Sequence, residues 1–295
     1  MTIQEDVMGV SKTCSFLLAA SLQEALEAKA EYGERARFVS GGTDLLLQVR
    51  AGRHSPELLI GLPPTTEPVT LQRDRLCIPA RTPLRHFERD PLLIAHASIV
   101  AEAFSQIGSP LIRNVATLGG NLGNASPAAD SVPPLLVYNA DLELQSIRGC
   151  RLMPVDEFFV GPGRTEVAPD EAITAVYLSI DPAGDALLFR KFGPRGANVI
   201  SSASCAAWLR FDGSSIVEAR LAAGSVAPRP IRLPKTEAAL KGQSVSALPI
   251  PDLLAVARQD VRPISDVRGS DWYKEEVVVR AVHHLLDTLG TGGDQ

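Results

Sequence analysis

This 295-residue sequence carries little that points to metal, membrane or nucleic acid. It has only four cysteines, Cys14, Cys77, Cys150 and Cys205; no Cys-x-x-Cys occurs, and the five histidines are not spaced with them as a metal cage. A zinc or iron–sulfur site held by this chain is therefore not expected. Such scattered thiols suit buried cysteines of a cytosolic protein, although spacing alone leaves disulfides open. No run approaches the roughly 18 apolar residues of a membrane helix. The apolar stretch at residues 16–20 is too short for a secretory core and lacks a basic lead-in, so a cytoplasmic location is expected. Charge of one sign is lacking too: 29 basic against 34 acidic side chains leave −5. That balance gives no bulk attraction to nucleic acid or an anionic membrane.

What remains is ordinary globular composition, 45% hydrophobic and 21% charged, in a chain long enough for two domains. Ser21-Leu-Gln-Glu24 has the form of a capping box, with Leu22, Ala25 and Leu26 at helical spacing behind it and Gly33 as the stop. Residues 36–39 suit a strand running into Ser40-Gly41-Gly42-Thr43-Asp44. Asp44 is then a natural N-cap for a helix over residues 45–50, and residues 58–62 form another strand. A second lobe starts near Leu71. Thr82-Pro83 and Asp90-Pro91 are both N-cap-plus-proline signatures, the latter opening a helix to about residue 107. Residues 115–118 suit a strand entering a second glycine turn. Strands are expected at 141–147 and 172–180, and the turn formers at 181–185 mark the best domain boundary. Beyond it lie a hairpin (203–211 and 216–223 around Asp212-Gly213) and helices at 235–240, 251–259 and 272–289. In the last helix Val278, Ala281, Val282, Leu285 and Leu289 share a core-facing side.

The informative segments are VSGGTDLLL (39–47) and ATLGGNLGNASPAAD (116–130). Without Cβ atoms, adjacent glycines let backbone N–H groups approach an anion, and a helix start behind the first segment favours a phosphate. Taken alone, Gly41-Gly42 is a tight strand-to-helix turn. Two such segments fit a dinucleotide, whose diphosphate needs donors from more than one side. Neither matches the Walker pattern or the Rossmann G-x-G-x-x-G.

The pattern GGTDL, with IRNVATLGGNLGNASPAADSVPPLL downstream, resembles the FAD-binding subunit of the molybdenum hydroxylases. That family includes the xanthine dehydrogenase, carbon monoxide dehydrogenase and 4-hydroxybenzoyl-CoA reductase types. FVGPGRTEVAPDEAI (159–173), FRKFGPRGANVIS (189–201), SVAPRPIRLPKTEAALKG (225–242) and DVRGSDWYKEEVVVRA (266–281) resemble family segments in the same order. The resemblance implies an α+β fold of the vanillyl-alcohol-oxidase-like FAD-binding type. Its FAD-binding domain would span residues 1–180, in lobes of approximately 1–63 and 64–180, with a C-terminal α+β domain at 186–295.

It also implies a cofactor site. Arg37, Phe38, Val39, Ser40, Gly41, Gly42, Thr43, Asp44 and Leu45 would wrap the diphosphate and adenine side of FAD, with Asp44 better suited to capping its helix. Thr117, Gly119, Gly120 and Asn121 would form the second wall, and Leu118 would meet the flavin's apolar surface. Asn124, Ser126 and Asp130 would reach the ribityl chain or flavin edge, and Val167 would add a backbone or apolar contact. Lys191, or Arg190 after a one-residue shift, would bring a cation to the flavin and stabilise negative charge on its reduced form. Each residue also has a structural reading. Asp130 can cap a helix near Pro133, and Lys191 and Arg195 can be surface charges.

Two departures from the pattern stand out. Ser40 replaces a common alanine, and Ile107 stands where some NAD-reducing members carry an aromatic residue over the flavin. The cysteine-bearing insertion of the 4-hydroxybenzoyl-CoA reductase type is absent. By resemblance, the chain is a cytoplasmic electron-transfer subunit of a heterotrimer. It would join the [2Fe–2S] clusters of a small subunit, fed by a large molybdopterin-binding subunit, to an external acceptor. The rivals are a self-sufficient FAD-dependent oxidoreductase, for which no acid or base is evident, a cofactor-free scaffold subunit, and a nucleotide-binding regulator.

Overall fold

The Ser21 hydroxyl accepts the Glu24 N–H at 3.1 Å, and the Glu24 carboxylate accepts the Ala20 N–H at 2.6 Å, so the capping box forms. In this computed structural model, which describes residues 14–180, 184–193, 200–265 and 269–290, the box opens the first lobe. Strand β1 (Ser15–Leu18) leads to α1 (Leu22–Tyr32), β2 (Ala36–Val39), α2 (Leu45–Arg50) and β3 (Leu58–Gly61). The three strands are parallel in the order β1-β3-β2, and Ala25 of α1 packs against Ala36 and Ile60. Residues 16–20 contribute mostly to β1, an edge strand that the short apolar run did not announce.

The second lobe holds β4 (Thr70–Gln72), β5 (Arg75–Pro79), α3 (Pro91–His96), α4 (Ser98–Ser105), α5 (Pro110–Arg113), α6 (Leu118–Gly123), α7 (Val132–Val137), β6 (Asp141–Ser146) and β7 (Gly149–Pro154). It closes with α8 (Val155–Phe158), β8 (Phe159–Gly161), β9 (Arg164–Thr165) and β10 (Ala172–Ser179). The main sheet is antiparallel throughout, in the order β4-β5-β10-β6-β7. Leu142 and Leu144 alternate inward as their spacing predicts, onto Phe104, Leu118, Leu122 and Phe158.

Several local expectations are corrected here. Asp90 Oδ1 caps α3 through the Leu92 and Leu93 N–H groups, but the expected long helix breaks at Ala97 (φ −148°) into α3 and α4. The Thr82 hydroxyl donates to the Glu67 carbonyl rather than capping, and only a 3-10 turn, Leu84–His86, follows. Residues 115–118 form no strand. Ser109 caps α5 and Thr117 caps α6, leaving one isolated bridge between Thr117 and Pro83.

The remaining chain forms β11 (Ala186–Phe192), β12 (Ala203–Asp212), β13 (Ser215–Gly224), β14 (Ile231–Arg232), α9 (Pro234–Leu240), α10 (Ile250–Asp260) and α11 (Asp271–Gly290). The hairpin turns where Gly213 takes φ +59°, and the sheet runs β11-β12-β13-β14, antiparallel. Of the expected boundary at 181–185, residues 181–183 lie outside the described residues. One sheet face packs Val278, Val282 and Leu285 of α11. The other contributes Phe189, Ala206, Trp208 and Ala222 to the second-lobe core. Arg220 lies over the Trp208 ring at 4.3 Å and donates to the Val137 carbonyl at the end of α7. This packing sets Lys191 of β11 against the second lobe. The cysteines are free; Cys77 and Cys205 are buried, Cys14 is half-buried and Cys150 exposed, and burial pushes the Cys205 thiol up to about 12.

Glu171, buried before β10, holds Arg151 through both carboxylate oxygens at 2.6 and 2.8 Å and also accepts the Ala168 N–H. These donors keep its carboxyl below the usual 4.5. A depressed folded value gives stability that is present above the unfolded pKa and lost as pH falls through the folded one. Glu171→Gln is expected to cost about 1 kcal/mol at neutral pH, since Arg151 is half in solvent, and that gap should narrow in acid. Urea denaturation at pH 7 and in strong acid checks this; an equal gap at both would refute it.

Candidate functional site

From β2 the chain emerges as Ser40-Gly41-Gly42-Thr43-Asp44 before α2. Gly42 takes φ +69°, which favours glycine. Gly41 is required for space: a Cβ there would lie 2.0 Å from the Val115 carbonyl oxygen and 2.9 Å from Ala116 Cα. The first glycine segment therefore lies directly on the backbone that enters the second. The Thr117 hydroxyl donates to Ser40 Oγ at 3.1 Å, and Gln48 Nε2 donates to Asn124 Oδ1 at 2.8 Å. Two segments far apart in sequence thus form facing walls.

The second wall is a short helix, not the turn its glycines suggest. Thr117 Oγ1 accepts the Gly120 N–H, Gly119 donates to the Ala80 carbonyl at 2.8 Å, and Asn121 donates to the Thr117 carbonyl. These amides, expected to face an anion, are engaged within the protein. Gly119 serves packing, since a Cβ there would sit 3.0 Å from Ala80 O and 3.3 Å from Ile173 O. The N–H groups of Gly41, Gly42, Thr43 and Asp44, by contrast, make no hydrogen bond to protein among the described residues. Three amides of the second wall are thus satisfied by protein, while four in a row are free in the first. Asp44 occupies the N-cap position of α2, but its side chain makes no capping bond.

The other anticipated residues divide. Leu118 is fully buried in the core and supports the wall from behind, which corrects its expected place on a ligand surface. Asn121 accepts the Ser131 hydroxyl at 2.5 Å, and Ser126 Oγ accepts the Ala128 N–H at 3.2 Å. Arg37 is exposed on β2, whereas Phe38 and Leu45 are half-buried beside it. Val167 packs partly buried against the second-lobe core, on a segment tied to the second wall by the Gly163 N–H and the Ala125 carbonyl at 2.9 Å.

Asp130 and Lys191 come together in the interior. Lys191 Nζ lies 2.8 Å from Asp130 Oδ2, with side chains only 8% and 6% exposed, and donates to the Gln106 carbonyl at 2.8 Å. The Ser201 hydroxyl donates to Asp130 Oδ1 at 2.5 Å. Asp130 is therefore no helix cap, and Lys191 is no surface charge. Arg190 is 45% exposed and faces Glu102 at 4.0 Å, so Lys191 is the cation held here; Arg195 lies outside the described residues. Ile107, half-buried next to Gln106, is fixed by Arg113, whose guanidinium bonds the Ile107 and Gly108 carbonyls and pairs with Glu88 at 2.6 Å. Arg113, Gln48, His54 and Ser201 were not singled out from sequence. Arg113 and Ser201 stood inside quoted segments, but Gln48 and His54 carried no local signal.

A cavity of about 300 Å³ lies elsewhere, on the outer face of the five-stranded sheet among Gln72, Arg75, Glu143, Cys150, Arg151 and Tyr177. Its arginines are taken by carboxylates, Arg75 by Asp141 and Arg151 by Glu171, so it offers no unpaired cation to a diphosphate. Among the described residues no cluster of His, Cys, Asp or Glu could hold a metal, and no helix is long and apolar enough to cross a membrane.

Residues 11–178 match the family described as the FAD binding domain in molybdopterin dehydrogenase, and residues 189–289 match the CO dehydrogenase flavoprotein C-terminal domain. The chain is 33% identical over 281 residues to the xanthine dehydrogenase FAD-binding subunit of Escherichia coli O157:H7, covering 93% of this chain and 92% of the relative. It is 27% identical to the nicotinate dehydrogenase FAD-subunit of Eubacterium barkeri, covering 90% and 93%. The structure of carbon monoxide dehydrogenase from Hydrogenophaga pseudoflava aligns with TM-score 0.88 and 25% identity over 93% of this chain and 96% of that one. Fold and family thus define an α+β flavoprotein with an FAD-binding domain and a flavoprotein C-terminal domain. The chain belongs to the FAD-binding medium subunits of the molybdenum hydroxylase-type dehydrogenases, an oxidoreductase family, and FAD is its cofactor.

Proposed function

We propose that FAD is held between the two walls and that the chain is an electron-transfer subunit. The observation that carries this reading is the seat of Gly41 on the Val115–Ala116 backbone, locked by Thr117 and Ser40. The free amides of Gly41, Gly42, Thr43 and Asp44 would bind the diphosphate oxygens, with Arg37 adding charge at the entrance and Val39 and Leu45 shaping it. Thr117, Gly119, Gly120 and Asn121 would hold the opposite wall in register. Asn124 and Ser126 would supply polar contacts further along, while Ile107 and Val167 would exclude water from the apolar end.

Asp130 and Lys191 would fix the loop carrying Ile107. Paired as they are, they neutralise each other, so neither stands as a free acid or base for substrate chemistry. That favours an electron carrier over a self-sufficient oxidoreductase. FAD, when bound, supplies a centre that takes electrons singly and releases them in pairs. The chain would accordingly stand in a cytoplasmic heterotrimer, between a small [2Fe–2S] subunit served by a large molybdopterin-binding subunit and an external acceptor. The division into an FAD-binding domain (1–180) and a C-terminal domain (186–295) belongs to the same proposal.

Titration of the apo-chain with FAD tests the reading. Stoichiometric binding with a perturbed flavin spectrum is expected, together with a rise in melting temperature. A chain that leaves FAD free in solution would sink it.

A further inference from the structure

Gln48 lies on α2 in the first wall and Asn124 at the end of α6 in the second. Behind Gln48 stands His54, whose Nε2 is 3.0 Å from Gln48 Oε1. A carbonyl oxygen only accepts, so Nε2 carries the proton in this contact. Burial and the nearby Arg37 hold the imidazole below its usual 6.5, which favours the neutral ring. The directions then follow along the relay: His54 donates to the Gln48 carbonyl, and the Gln48 amide donates to the Asn124 carbonyl at 2.8 Å. The Asn124 oxygen is thereby engaged. Its Nδ2 group, with two N–H donors, has no protein partner among the described residues.

An asparagine amide has nearly identical ends in shape, and only its partners decide which end faces where. We propose that Gln48 and His54 are positioning residues that lock the Asn124 amide with its N–H end available to an acceptor oxygen of the bound dinucleotide. This rests on the reading that FAD lies between the two walls. The relay converts a side chain able to present either a donor or an acceptor into one that presents a donor.

Gln48→Glu tests it, because a carboxylate still accepts from His54 but cannot donate to Asn124. Asn124 would then turn, give its N–H to Glu and offer its oxygen to the dinucleotide. FAD titration of the full chain should show about 10- to 100-fold weaker binding for Gln48→Glu and only about threefold for Gln48→Leu, which lets Asn124 choose its orientation. Added negative charge near FAD would also weaken binding, so the cycle includes Asn124→Ala. In that background Gln48→Glu should cost less than about twofold if its effect passes through the amide. Parent-like binding by Gln48→Glu, a cost no greater than that of Gln48→Leu, or an undiminished cost without Asn124 would each overturn the proposal. Failure of the parent chain to bind FAD would overturn the functional reading instead.

Discussion

Gly41→Ala is expected to yield a chain that purifies without flavin and binds FAD at least about 100-fold more weakly than the parent. The added Cβ would stand 2.0 Å from the Val115 carbonyl oxygen, more than an ångström inside ordinary contact. No flexible side chain is there to yield, because the neighbours are backbone atoms of Val115 and Ala116. Those residues run directly into Thr117, so relief requires the walls to part and the Thr117–Ser40 bond to stretch. Overpacking of this kind costs about 1–3 kcal/mol in fold stability, and a binding cleft defined by that contact loses more. Gly161→Ala is the matched control, since a Cβ there meets nothing within 4 Å. Gly119→Ala should fall between them, with its nearest contact at 3.0 Å. Flavin absorbance per chain and the FAD dissociation constant measure the series. Parent-like affinity in Gly41→Ala would mean that the two walls do not enclose the cofactor.

The series also shows where sequence reasoning succeeds. Capping chemistry is local, and so Ser21 with Glu24, Asp90 with Pro91, and the Asp212–Gly213 hairpin all form where their residues foretell. The strand-then-glycine reading of 36–44 holds for the same reason. It fails for residues 115–123, where Thr117 begins a helix through three glycines. Glycine is a poor helix former, by about 1 kcal/mol relative to alanine. Within this helix, glycine at 119 is required by the close approach of Ala80 and Ile173, contacts that no local pattern encodes. The consequence reaches the second segment: the Gly119, Gly120 and Asn121 amides bond within the protein, whereas those of Gly41 to Asp44 make no bond to protein among the described residues. That the two segments carry special glycines was legible; that the second is a helix seated against the first was not.

Polar contacts across long sequence separations were the least legible. Asp130 offered itself as a helix cap and Lys191 as either a flavin neighbour or a surface charge, because their meeting depends on how β11 docks on the second lobe. Phe189, Ala206, Trp208 and Ala222, packed into the second-lobe core, bring them within reach.

That pairing separates two roles for Lys191. A solvated cation that merely tuned the flavin could be removed without harm to the apo-protein. A buried partner cannot: removing one member leaves the other charged and desolvated, at a typical cost of about 3–5 kcal/mol. With both side chains more than nine-tenths buried, Lys191→Met is expected to fall in that range in urea denaturation of the chain without FAD. Ser201 can still donate to Asp130, which places the loss toward the lower end. Asp130→Asn leaves the lysine with the Gln106 carbonyl and should cost somewhat less. The double variant Lys191→Met with Asp130→Leu should be more stable than the sum of single losses predicts, because no charge is stranded. If Lys191→Met matches the parent in the absence of FAD yet shifts the flavin's reduction potential in its presence, the lysine is a tuner and the buried strut is refuted. If stability falls first, the pair holds Gln106 and Ile107 in place, and any change at the flavin follows from that loss of position.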